Sequence, residues 1–162
     1  MPRLAHGAIA LVLVVSGAIL PGPAISQPQS GAPPSVAPNA NVNVIVSGLR
    51  NTKGRVIVWL WSGPDGFAQD DSKAYKMIVI DASTASNGRI SAQWSVPPGD
   101  YAATILHDEN SNNKMDMNFL GIPSEGFGVS NNIMVMGPPA FNDTKFTVAN
   151  SPANIQIKLR YF

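Results

Sequence analysis

The sequence predicts an all-β domain, an antiparallel seven-stranded sandwich carrying one long ordered loop. Three observations lead there. Short apolar stretches recur with a period of two, as strands with one buried face require. Gly, Pro and Asn clusters separate them at turn spacing. One stretch, residues 108–143, breaks this rhythm yet keeps many apolar side chains.

Taken in order, Asn41–Gly48 alternates with Val42, Val44 and Val46 on one face, and Gly48 with Asn51-Thr52-Lys53-Gly54 turns the chain. Arg55–Trp61 is apolar on both faces, with Val56, Val58 and Leu60 opposed to Ile57, Trp59 and Trp61. That pattern predicts a central strand covered by the core on one side and by loops on the other. Ser62–Phe67 is turn-rich, and a short helical turn is expected before Lys73. Tyr75–Ile80 is the third strand, and Asn87-Gly88 turns into the fourth. There Ile90, Ala92, Trp94 and Val96 alternate cleanly with polar residues, so one face meets solvent. Pro97-Pro98-Gly99-Asp100 launches Tyr101–Leu106, and strands at Thr144–Ala149 and Ile155–Tyr161 complete the set.

Before this domain, Leu4–Leu20 is mostly apolar behind Arg3, and Pro21-Gly22-Pro23 ends the run. Ala24-Ile25-Ser26 places small residues where a signal peptidase cuts. Residues 1–26 are therefore expected to be a cleaved signal peptide, 27–40 a flexible linker, and 41–162 the domain. The run approaches membrane-spanning length, which leaves an uncleaved anchor as the alternative. The expected location is periplasmic or secreted, without stable membrane insertion after cleavage. The chain has no Cys, which excludes disulfides, thiol nucleophiles and thiolate metal sites. Without Arg3, ten basic residues balance ten acidic ones. A neutral domain offers no electrostatic case for nucleic acid.

The sequence between Asp108 and Asp116 carries the candidate chemistry. Asp108, Asn110, Asn112 and Asp116 occupy positions one, three, five and nine of a calcium-loop frame, with the Lys114 carbonyl at seven. Short acidic and amide side chains at alternate positions present hard oxygen ligands to Ca2+ from a curled backbone. Two departures stand out. Asn113 replaces the Gly of position six, and Phe119 replaces the bidentate Glu of position twelve. Glu125 can supply the missing carboxylate if the chain folds back. The alternative is a polar turn whose side chains cap their own backbone. An ordered loop tied at its base by a cation would also explain the long stretch 108–143, with apolar anchors such as Met115, Val135, Met136 and Phe141 but no evident strand.

No catalytic residue is assigned. His107 and Asp108 are neighbours on a strand and point to opposite faces, which argues against a dyad. His107 is expected to orient the loop by hydrogen bonds. There is no nucleophile elbow and no phosphate cradle. The three Trp residues and the Met-rich segment read first as packing, with a carbohydrate or peptide platform or a copper site as alternatives.

Several words in the domain resemble the bacterial family of unknown function DUF2141. They are Leu49–Gly54, Pro97–Ala102, His107–Asn110 with Asn112 and Asp116, Asn118–Pro123, Glu125–Asn132 and Gly137–Phe141. The resemblance spans about Val42–Leu159 and implies an exported β-sandwich without an established activity. Members often carry Gly where this chain has Ser111 or Asn113. The Pro98–Tyr101 turn is similar to those of transthyretin-like domains, so an immunoglobulin-like or transthyretin-like sandwich is expected. Together these features lead to a calcium-stabilised binding or structural module with an envelope protein or glycan as partner. The alternative is a metal-assisted hydrolase or carbohydrate-binding protein using residues 107–132.

Overall fold

A computed structural model of the chain describes residues 38–134 and 137–162. The expected signal peptide, most of the expected linker, and Val135 and Met136 lie outside the described residues. Among the described residues, eight strands form two sheets. In the first, β1 (Ala40–Ser47) lies between β4 (Arg89–Val96) and β8 (Ala153–Lys158). In the second, the order is β3 (Lys76–Asp81), β2 (Arg55–Trp61), β5 (Gly99–Asp108) and β6 (Gly126–Val129), and β7 (Phe146–Val148) pairs with the start of β5.

Side-chain alternation builds the core between the sheets. Val42, Val44 and Val46 of β1, with Ile90, Trp94 and Val96 of β4, meet Val56, Val58 and Leu60 of β2 and Ala103 and Ile105 of β5. The polar members of β4 are exposed, so its period of two reports a one-sided strand, as expected. β2 is buried on both faces. Its Ile57, Trp59 and Trp61 form a second cluster with Phe67, Ala102, Leu106 and Phe141, against which Met115 packs. Edge-to-face contacts link Trp61, Phe67 and Phe141 at centroid distances of 5.5 and 5.6 Å. The loops therefore cover β2 as its double apolar pattern requires. A short 3-10 turn at Asp71–Lys73 stands where a helical turn is expected.

Two expectations are corrected. The sandwich is mixed, because β8 runs parallel to β1 with Val44 opposite Ile155 and Val46 opposite Ile157. Alternation specifies which face is buried and is silent on strand direction. The strands number eight rather than seven, since Gly126–Val129 pairs with β5 through Leu106↔Phe127 and His107↔Gly126. Two glycines conceal this strand from a propensity reading. They are needed because neighbouring groups press on the backbone: a Cβ on Gly126 would lie 2.3 Å from the Tyr161 ring, and one on Gly128 2.7 Å from the Ile157 side chain. The stretch 108–143 is thus interrupted by a strand, and a helical turn at Phe141–Thr144 (α1) precedes β7.

Between β6 and α1, Ser130-Asn131-Asn132 is a junction of backbone bonds. The buried Ser130 Oγ accepts from the Ala103 N–H at 3.0 Å and donates to the Thr144 carbonyl. Asn131 Nδ2 donates to the Asp143 and Lys145 carbonyls, and Asn132 bonds both Gln156 O and Lys158 N. Side-chain amides here replace the ladder bonds that an irregular segment lacks.

Candidate functional site

One end of the sandwich gathers the β1–β2 turn, the C-terminal end of β5, the loop that follows it, and the last residues of the chain. The register that sets Arg55 opposite Asp108 brings these pieces together. Gly54 makes the approach feasible. Its φ is +66°, and a Cβ there would lie 2.0 Å from the Asp108 carbonyl oxygen, so only a residue without a side chain fits.

Asp108 is fully buried, and its carboxylate is the hub of the loop. Oδ1 accepts the Asn112 N–H at 3.0 Å, and Oδ2 accepts the Asn113 N–H at 2.8 Å and the Arg55 Nε–H at 3.0 Å. Arg55 also donates to the Ser111 carbonyl. Burial pushes this carboxyl up, but the Asn113 amide, the Arg55 guanidinium and the Asn112 amide outweigh it and hold it below the usual aspartate value. The loop curls through Ser111 (φ 63°) and Asn113 (φ 64°). Asn113 thus takes the left-handed conformation that position six of the frame demands.

The other candidate ligands follow around the curl. Asn110 Oδ1 accepts the Asn112 N–H at 3.0 Å and Asn112 Oδ1 the Lys114 N–H at 2.8 Å, two successive Asx turns. Their amide nitrogens converge on Asp116, donating to Oδ2 at 2.6 Å from Asn110 and to Oδ1 at 2.9 Å from Asn112. Lys114 is exposed. The chain does fold back at Glu125, which is 4% exposed. Its Oε1 accepts the Glu109 N–H at 2.9 Å and its Oε2 the Asp116 N–H at 3.2 Å, tying the two ends of the loop.

Among the described residues, no group of three or more His, Cys, Asp or Glu side chains stands together as a metal-ligand set. A cation here would draw on amide and backbone oxygens beside the carboxylates. Asp108 and Glu125 are committed to backbone N–H groups, whereas Asp116 meets two side-chain amides that can rotate. The oxygens accepting N–H bonds retain a second lone pair. The donor chemistry is all oxygen, as a hard cation requires.

His107 is fully buried and bonded at both nitrogens. Nε2 donates to the Lys53 carbonyl at 3.0 Å, and Nδ1 accepts from the Tyr161 hydroxyl at 2.7 Å. With both nitrogens engaged it orients the loop and has none free for proton transfer. Tyr161 in turn receives the Arg50 N–H at 3.3 Å, and the Arg50 guanidinium lies 4.4 Å from its ring centroid. Arg50 also grips the Glu109 carboxylate and donates to Ser124 O at 3.0 Å, while Asn51 Nδ2 donates to the Glu109 Oε1 that Arg50 Nε also bonds. Arg50 is the chief reason that the Glu109 carboxyl sits below the usual range, against its partial burial.

Arg50, Arg55 and Tyr161 escape a sequence reading because each acts across strands. The one available signal is the placement of both arginines beside the turn before β2. Trp59, Trp61 and Trp94 are at most 7% exposed, so their faces are packed and offer no platform to a glycan. Met115 packs into the second cluster, while Met117 and Met134 are exposed.

No curated protein matches this chain. Two solved structures are similar in part, each at 12% identity: a pilus-presented adhesin (78% of this chain, 28% of that one, TM-score 0.32), and a leucine-rich repeat protein from Bacteroides thetaiotaomicron VPI-5482 (76% and 12%, TM-score 0.30). The chain spans less than a third of either. Residues 44–156, more than two thirds of the chain, match the model of a family described as an uncharacterized protein conserved in bacteria (DUF2141), and the chain belongs to that family.

Proposed function

We propose that this chain is an exported module of the cell envelope, periplasmic or secreted, that holds a Ca2+ ion in the Asp108–Asp116 loop and binds an envelope protein or glycan beside it. The export reading rests on the apolar run Leu4–Leu20 and the small residues before Gln27. The observation that carries the cation reading is the convergence of Asn110 and Asn112 on the Asp116 carboxylate, around a backbone curled at Ser111 and Asn113. Asp108, Asn110, Asn112 and Asp116 would supply side-chain oxygens, Lys114 its carbonyl, and Glu125 a nearby negative charge. The amide groups of Asn110 and Asn112 would turn to present oxygen.

Arg55 offsets the charge of Asp108, so affinity should resemble that of extracellular calcium modules, with a dissociation constant on the order of 10⁻⁴–10⁻³ M. The test is calorimetric titration of the chelator-treated protein with Ca2+, with Mg2+, Zn2+ and Cu2+ as comparisons. Stoichiometric Ca2+ binding is expected, weakened at least tenfold in Asp116→Asn with little change in melting. Asp108→Asn is the poorer test, because it removes the loop's own hub whether or not a cation binds. Absence of Ca2+ binding by the native protein overturns the assignment.

A further inference from the structure

Beyond the loop, Asp116–Ser124 forms a small closed hairpin. Ser124 N donates to Asp116 O at 2.8 Å, Met117 bridges Pro123, and Asn118 N donates to Ile122 O at 2.8 Å. Its turn is sealed from within: Gly121 N donates to Asn118 O at 2.9 Å, and Asn118 Oδ1 accepts the Leu120 and Ile122 N–H groups at 2.9 and 3.0 Å. Its large exposed side chains are apolar, with Asn118 the one exposed polar residue among 117–123. Phe119 is 94% exposed, Leu120 67%, Met117 56% and Ile122 38%. Four large apolar groups side by side on a protruding turn mark an interaction surface.

Three features select the chemistry of what covers it. Residues 117–123 carry no charge, and their one hydrogen-bonding side chain, Asn118, is bonded through Oδ1 to the turn's own backbone. The tip therefore offers a protein pocket little that is directional. The amides of Asn118, Leu120, Gly121 and Ile122 have internal partners, while the Phe119 N–H and the carbonyls of residues 119–121 have none among the described residues, so the tip backbone suits the hydrated headgroup layer and only its side chains suit the acyl region. At the base, Asp108 and Glu109 are ion-paired with Arg55 and Arg50, Glu125 is buried on two backbone N–H groups, and Asp116 is half-buried against Asn110 and Asn112. Lys114 and Lys53, at this same end, are exposed and in no ion pair among the described residues. An apolar tip flanked by free ammonium groups complements a leaflet of acyl chains under anionic phosphates.

We propose that residues 117–123 are a membrane-surface anchor, with Phe119 and Leu120 entering the interfacial layer of an anionic phospholipid leaflet and Lys114 at headgroup level. This does not span a bilayer, and among the described residues no helix is long and apolar enough to do so. It requires no cation, so it stands apart from the calcium reading.

The test is co-sedimentation of the whole chain with phosphatidylethanolamine–phosphatidylglycerol vesicles in chelator, comparing it with Phe119→Ser and with Phe119→Ser/Leu120→Ser. All three share residues 1–37, so any contribution from Leu4–Leu20 is common to them. Each apolar deletion should weaken binding about tenfold or more. Phe119 and Leu120 are exposed and a Cβ added at Gly121 would meet nothing within 4 Å, so the tip's side chains pack on little and the variants should melt like the parent. Phe119→Trp should shift its emission to the blue on vesicles and be quenched by brominated acyl chains. Equal binding by parent and double variant, or no spectral shift, overturns the proposal. Equal binding to phosphatidylcholine vesicles overturns its anionic half, and capture of the tip by a protein with no vesicle binding overturns the whole.

Discussion

Gly54→Ala probes the junction that the candidate site depends on, and Gly121→Ala supplies its internal control. Both glycines are left-handed, at φ +66° and +73°. Placing Ala there costs about 1 kcal/mol in either case. The surroundings differ completely. At Gly121 nothing lies within 4 Å, whereas at Gly54 the new Cβ would lie 2.0 Å from Asp108 O, 2.7 Å from Glu109 C and 2.8 Å from Glu109 Cα. Those are backbone atoms, and Asp108 is paired across the sheet with Arg55, so relief requires the β2–β5 ladder to open at its end. Overpacking of this kind adds about 1–3 kcal/mol. Gly54→Ala should then cost about 2–4 kcal/mol and Gly121→Ala about 1. With a urea slope of about 2 kcal/mol/M, the midpoints should fall by roughly 1–2 M and 0.5 M at unchanged slope. Equal shifts for the two variants would show that the turn does not press on the loop.

Tyr161→Phe removes the hydroxyl that meets His107 Nδ1 and Arg50 N, leaving a buried ring nitrogen unpaired, and should cost about 1–3 kcal/mol in denaturant unfolding; a loss under 0.5 kcal/mol would mean that the bond is not made. Ser130→Ala should cost a similar amount and speed amide exchange at Ala103, whose N–H loses its acceptor; unchanged exchange would refute that assignment. Acid should destabilise the fold in a defined window. Asp108 is pushed up by burial but held low overall by Asn113, Arg55 and Asn112, and Glu109 is held low chiefly by Arg50. Asp70, Asp81 and Asp100 are lowered too, by hydrogen bonds from Ser72, Ser83 and Lys145. Carboxyls with a lower pKa folded than unfolded stabilise fully above the unfolded values, about pH 4–5, and lose that contribution as pH falls through the lowered ones. The urea midpoint should fall as pH drops below about 4.5, less steeply in Arg50→Gln; an acid slope equal in the two proteins would refute the Arg50–Glu109 assignment.

Much of the fold is legible because burial leaves a period in the sequence. The alternation of Ile90, Ala92, Trp94 and Val96 reports a one-sided strand, and the doubly apolar Arg55–Trp61 reports a covered one. Each follows from where side chains point along an extended backbone. β6 was hidden for a reason of equal physical weight. Its two glycines answer the crowding by Tyr161 and Ile157, and a residue chosen for what it lacks carries no apolar signal. The parallel pairing of β8 is invisible for another reason, since a period of two reads the same in both directions.

The site was legible in its local part only. Asx turns and left-handed positions join residues two to five apart, so Asp108–Asp116 betrays them directly. The Arg55–Asp108 pair joins residues 53 apart and follows from strand register, which no short window contains. That pair changes the energetics of the loop. The sequence invites a cation to offset the ordering entropy of the stretch after Asp108. In the fold, Arg55 already neutralises Asp108 while Glu125 bonds backbone groups at both loop ends. A ligand that finds its site already ordered stabilises only by mass action, about 1.4 kcal/mol at tenfold excess over its dissociation constant. The same preorganisation would spare a binding cation the cost of ordering the backbone curl, but Asn110 and Asn112 would have to exchange their bonds to Asp116 for contacts to the ion. A cation bound there would add only its mass-action term to a loop that Arg55 and Glu125 already hold.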